Sequence, residues 1–152
     1  MPKSCLFDYG ITFYQDGQIR LFPAAHALFQ DTTGEWTSLV LLIDSGAPIS
    51  ALPNIDADLL GIELEQGDPL TVGGIGKEPL AGWRHTLRVR LGENELSLPV
   101  VFLDDPHAPR VLGREGIFDR FTVVLEEGRR RTGLIAVNVP EERAISDILD
   151  KV

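Results

Sequence analysis

The sequence predicts a mainly β fold, a barrel or a sandwich, on three observations. Short runs of alternating or β-branched apolar residues recur along the chain. Turn signals separate them, and the stretches that read as helix are few and short.

The elements follow in order. Phe7, Tyr9, Ile11 and Phe13 alternate with smaller or polar residues, as in a strand. Asp16-Gly17 is a hairpin signal, and Ile19 to Phe22 supplies the return strand. Pro23 to Phe29 is apolar and reads as a strand, because Asp31-Thr32-Thr33-Gly34 then forms a hairpin turn into Trp36. The run Leu39-Val40-Leu41-Leu42-Ile43 is continuously apolar, the mark of a buried strand. Asn54 to Leu60 reads as a short helix with Asn54 as its N-cap and Gly61 closing it. Leu70 to Lys77 carries Gly73, Gly74 and Gly76, which suit the tip of a hairpin. Thr86, Arg88 and Arg90 alternate with Leu87, Val89 and Leu91 in a half-exposed strand, and Gly92-Glu93-Asn94 turns the chain into a strand from Glu95 to Leu103. Val111 to Gly113 reads as a strand, Glu115 to Phe121 as a short helix and Thr122 to Leu125 as a strand. After a turn at Glu127-Gly128 comes Leu134 to Val137. Ala144, Ile145, Ile148 and Leu149 then mark a terminal amphipathic helix from Pro140. There is no internal repeat and no low-complexity linker.

At 152 residues the chain is long enough for its own core and is expected to form one domain. A formal net charge of -9 argues against nucleic acid as a partner, which would call for a basic face. Cys5 is the lone cysteine, so no intrachain disulfide is expected. Met1-Pro2-Lys3-Ser4-Cys5 lacks the apolar core of a signal peptide, and no apolar stretch approaches a membrane span. These features predict a soluble, cytoplasmic protein that does not engage membranes. His26, His85 and His107 are scattered without metal-ligand spacing, so neither a metal nor a cofactor is expected. Arg129-Arg130-Arg131 reads as a solvated turn face.

Three segments carry chemistry. In the first, the apolar run ends in Asp44-Ser45-Gly46-Ala47. A carboxylate at the tip of a core strand is costly to desolvate unless something pairs with it, and Gly46 behind it permits a tight turn. The second, Val72-Gly73-Gly74-Ile75-Gly76, lies about 30 residues downstream, and the third, Val111-Leu112-Gly113-Arg114, about 70 residues downstream. Asp31-Thr32-Thr33-Gly34 is superficially similar to the first but lacks an apolar strand ending at its acid. Ser45 does not sit in a Gly-x-Ser-x-Gly elbow and is not read as a nucleophile.

In this order and spacing the segments resemble a retropepsin, the single-domain aspartic protease family of retroviruses and retroelements with cellular relatives. The resemblance covers roughly Leu39 to Leu125. It implies a closed β-barrel with one or two short helices, each chain supplying half of a site. On that pattern residues 39–125 are the core, 1–35 an N-terminal β extension and 126–152 a C-terminal strand and helix. The resemblance also implies that Asp44 is catalytic, with Ser45, Gly46 and Ala47 forming its loop. Val72, Gly73, Gly74, Ile75 and Gly76 become a substrate-covering flap, while Gly113 and Arg114 are structural. Ser45 stands where retroviral enzymes usually carry Thr. Pro48 stands where they carry an acid that meets the arginine, so the partner of Arg114 is left open among Asp8, Asp16, Asp56 and Asp58.

This chemistry uses two carboxylates sharing one proton, and the chain has one Asp-Ser-Gly. The simplest solution is a two-fold homodimer in which Asp44 meets its own copy, with Leu134 to Val137 or Leu6 to Phe13 contributing to the contact. The expected function is therefore a homodimeric aspartic endopeptidase acting on a peptide or protein substrate. The alternative is a non-catalytic binding or dimerisation module on the same fold.

Overall fold

The computed structural model describes residues 1–74 and 77–152, and of Gly74 and Lys77 the backbone alone. The fold is mainly β. Its strands are β1 (Cys5–Asp8), β2 (Gly10–Phe13), β3 (Ile19–Phe22), β4 (Ala24–Gln30), β5 (Trp36–Ile43) and β6 (Ser50–Pro53). Helix α1 (Asn54–Leu60) leads to β7 (Asp68–Gly74), β8 (Lys77–Leu91), β9 (Asn94–Leu103), β10 (Val111–Leu112), β11 (Phe121–Glu126) and β12 (Arg131–Ala136), and the chain continues into α2 (Pro140–Leu149).

Seven strands form one sheet in the order β4-β5-β10-β6-β9-β8-β7, and β8 also pairs back onto β4, so the pairings run in a ring with β7 outside it. A second sheet has the order β1-β12-β11, and among the described residues β2 and β3 pair only with each other. A hydrophobic cluster fills the ring and reaches the second sheet: Phe29, Leu41, Leu52, Leu98, Phe102 and Leu112 meet Phe121 and Leu134 in it.

The Asp31 turn closes the β4–β5 hairpin as expected, with Ala24 opposite Leu42 and Gln30 opposite Trp36. Strand β5 is covered on one face only. Leu39, Leu41 and Ile43 are buried, whereas Val40 is exposed and Leu42 half-buried, because successive side chains of a strand point to opposite faces. The alternation from Phe7 to Phe13 is not one strand but two, β1 and β2, with different partners. Gly10 lies at the break; a side chain there would strike the Phe22 ring, whose nearest atom stands 2.3 Å from an added Cβ.

Two further expectations are corrected. Asn54 is not the N-cap of α1. Pro53, in an extended conformation, takes that place, and the Asn54 amide instead donates to Asp104 Oδ1 at 3.2 Å. Gly61 closes the helix at φ 71° as expected. The segment from Glu115 to Arg120 is a pair of turns rather than a helix, since Gly116 takes φ 79°, a left-handed conformation that a right-handed helix cannot contain. Strand β12 is paired at both edges, and Leu134 and Ala136 point into the core.

Candidate active site

Asp44 follows directly on β5 and is half-buried. Its backbone N–H donates to the Leu112 carbonyl at 3.0 Å, which continues the parallel pairing of β5 with β10. Its side-chain Oδ1 accepts from the N–H groups of Gly46 and Ala47 at 3.0 and 3.2 Å. These two bonds fix the carboxylate against its own turn. Oδ2 accepts no hydrogen bond among the described residues. Ser45 and Gly46 are exposed at the crest of the turn.

The segment after β10 holds this loop from below. The Arg114 N–H donates to the Ala47 carbonyl and the Glu115 N–H to the Pro48 carbonyl, both at 2.9 Å. The Gly113 N–H donates to the hydroxyl of Ser50, which is fully buried. A Cβ on Gly113 would lie 2.5 Å from the Ile49 carbonyl and 2.8 Å from the Ala47 oxygen, so only glycine lets the two backbones approach this closely. Gly113→Ala should therefore push the Asp44 loop outward. The expected cost is about 2 kcal/mol of overpacking, a fall in Tm of roughly 4–8 °C for a chain of this size. Thermal unfolding followed by circular dichroism measures it; an unchanged Tm would show that the loop is not seated on Gly113.

Asp44, Gly46 and Ala47 share a cleft of about 520 Å³ with strand β7 of the β7–β8 hairpin. Leu70, Thr71, Val72 and Gly73 form one wall; Ile49, Val101, Leu103 and Val111 form an apolar floor. The structure thus brings the first, second and third sequence segments to one place. Ile75 and Gly76 lie outside the described residues, and of Gly74 only the backbone pairing with Lys77 is described. Ser50, Val101 and Leu103 were not singled out by sequence. Nothing in their local pattern marks them, because the ring alone brings them to Asp44.

The expected ion pair of Arg114 is not found. Arg114 is exposed and forms no ion pair among the described residues, and its contribution is made by its backbone. Four residues earlier, Arg110 grips Asp56 in a bidentate pair, Nε to Oδ2 and Nη2 to Oδ1, both at 2.7 Å. Asp56 is 1% exposed. The hydrogen bond to Asp56 holds the Arg110 guanidinium above its ordinary value against the opposing effect of burial. Because the Arg110 carbonyl accepts from Leu42 N–H at 2.9 Å, the pair locks α1 to the end of β5. An acid in the first turn of a helix was the available sequence signal for it.

Asp31 is a turn acid. Its Oδ1 accepts from the Thr33 hydroxyl at 2.6 Å and from the N–H groups of Thr33 and Glu35 at 2.8 and 3.0 Å. His26 and His85 bond the carbonyls of Asp8 and Leu64. Among the described residues no group of three or more His, Cys, Asp or Glu could hold a metal ion, and no helix is long and apolar enough to cross a membrane.

No protein-family model matches the chain. No curated protein sequence matches it. Among solved structures it is similar to a retropepsin-like aspartic protease from Rickettsia conorii, at 18% identity and a TM-score of 0.58, over 88% of this chain and 100% of that one. It is also similar to EIAV protease bound to an inhibitor, at 19% identity and a TM-score of 0.50, over 71% of this chain and 93% of that one. The chain has a retropepsin-like fold.

Proposed function

We propose that the chain is an aspartic endopeptidase acting as a two-fold homodimer, with the Asp44 of each copy facing the other across the axis. The observation that carries this reading is the Asp44 carboxylate, pinned through Oδ1 by two backbone N–H groups and opening on an apolar cleft beneath a glycine-bearing hairpin. On this reading residues 1–152 are one domain, the ring of strands is a closed barrel, and Val72 to Gly76 form the flap. Ser45 hydroxyls bond across the axis and hold the two loops in register.

The chemistry needs one proton shared by two carboxylates, because like charges a few ångströms apart do not both ionise cheaply. The ionised Asp44 takes a proton from a bound water as its oxygen attacks the scissile carbonyl carbon. The protonated Asp44 of the other copy hydrogen-bonds the carbonyl oxygen, which carries the developing charge. The tetrahedral intermediate then collapses: the carbon–nitrogen bond breaks, and the amine leaves with a proton returned from the dyad. Closure of the hairpin over the cleft excludes water and orients the peptide.

Three measurements test this reading. Digestion of casein across pH should show a peak on the acid side of neutrality, because the dyad works while holding one proton. A statine peptide, whose hydroxyl stands in for the attacking water, should inhibit it. Sedimentation should show a dimer at tens of micromolar. Cleavage by a protein that stays monomeric would sink the shared dyad. A stable dimer that cleaves nothing at any pH would favour the binding-module reading.

A further inference from the structure

Strands β2 and β3 form an arm outside both sheets, and every residue from Ile11 to Leu21 is exposed. Its two faces differ in chemistry. Ile11 lies opposite Leu21, and Phe13 opposite Ile19, which puts these four side chains on one face. Thr12, Arg20 and Phe22 take the other face, and the Arg20 guanidinium sits over the Tyr14 ring at 4.8 Å. Thr12 and Phe22 line a cleft with Val40 and Leu42, so the mixed face is turned toward the body of the chain and the apolar face away from it. An amphipathic hairpin that covers its own core would sit the other way round.

We propose that this outward face packs against the same face of a second copy, making the arm a clasp that holds two Asp44 loops together. The inference rests on the dimeric reading given above and names the surface that performs it. Position supports it. The arm runs straight into β4, whose first residue, Ala24, lies opposite Leu42, and the Pro23 carbonyl accepts from Ile43 N–H at 3.0 Å. The arm therefore springs from the Asp44 end of β5, the end that must meet its copy. Area supports it too. Ile11, Phe13, Ile19 and Leu21 are 41–74% exposed, leaving about 500 Å² bare, at the upper end of what a monomer leaves uncovered. Two such faces closed on each other cover about 1,000 Å², more than half of a standard stable interface. Charge is the third support. The chain carries a net -9, so two copies repel, yet residues 9–30 hold one acid, Asp16, set against one base, Arg20. A self-complementary patch lying across a two-fold axis needs this kind of neutrality.

The test is a Phe13→Ser/Ile19→Ser variant compared with wild type and with Thr12→Ser on the opposite face. Dimer dissociation is measured by sedimentation, and folding by circular dichroism and Tm. Because both substituted side chains are exposed, the fold should survive: the circular dichroism spectrum should be unchanged, and Tm should fall only by the stabilisation that dimer formation confers. The expected result is a dimer Kd raised at least about 30-fold in the double variant, an unchanged Kd in Thr12→Ser, and activity that is lost at low protein concentration and returns at high concentration. A double variant that dimerises as tightly as wild type overturns the clasp while leaving the shared Asp44 dyad intact. A wild type that is monomeric throughout overturns both.

Discussion

Asp44→Asn should abolish peptide hydrolysis, with a loss of at least about 10³-fold in kcat and no change in Tm. Asparagine keeps an oxygen for the Gly46 and Ala47 N–H groups, so the loop keeps both of its hydrogen bonds. What it cannot do is take a proton from water, and a positioned acid–base group contributes about 10²–10⁴-fold, here at a centre that uses it twice. Asp31→Asn is the matched control, and it should leave the rate unchanged. The Thr33 hydroxyl, followed by backbone N–H groups of the turn, holds the Asp31 carboxyl below its ordinary value of 3.8. A depressed carboxyl stabilises the fold above that value and loses the contribution as pH falls through the depressed one. Assays at about pH 4 to 6 therefore leave the turn intact. Substantial cleavage by the Asp44→Asn protein, measured on casein in that range, would remove Asp44 from the mechanism.

The second large effect is expected at Arg110. Removing one partner of a buried pair strands the other charge, which typically costs 3–5 kcal/mol. Asp56 is almost fully buried, but the Arg110 side chain is 38% exposed, so water compensates in part. Arg110→Met should destabilise by about 3 kcal/mol, lowering Tm by roughly 6–12 °C. Adding Asp56→Leu should recover much of that, since replacing both partners by apolar groups leaves no stranded charge. Thermal unfolding of the single and double variants decides it. A double variant no more stable than the single would mean that α1 packing, and not the charge, carries the effect. Arg114→Met should cost little by comparison, because the Arg114 contacts at the loop are made by its backbone.

Much of this was legible in the sequence where a local signal and the tertiary structure agree. The Asp31 turn, Gly61 at the end of α1 and the paired β7–β8 strands were each readable from a few neighbouring residues. The readings that failed did so where a distant partner outbid a local preference. Asn54 is a good capping residue, but Pro53 holds the cap position, and the Asn54 amide donates to Asp104 across the fold. The stretch after Arg114 looks helical until Gly116 turns left-handed. Arg114 looked like the structural cation because it follows the Gly of the motif, whereas the buried acid is reached by Arg110. The apolar alternation through Tyr9 hid a change of sheet, because alternation reports which side chains share a face and not which strand lies alongside.

The parallel pairing of Leu112 with Ile43 has a consequence in time as well as in space. During synthesis Asp44 emerges about 70 residues before the strand that supports its loop. At ribosomal speeds of about 5–20 residues per second, the acid spends roughly 4–14 s without Leu112, Gly113 or Arg114 beneath it. Contacts this far apart in sequence are also slow to form, since the loop between them must close before pairing stabilises it. The loop therefore waits several seconds for its support, and the delay lies in the order of the chain's own segments.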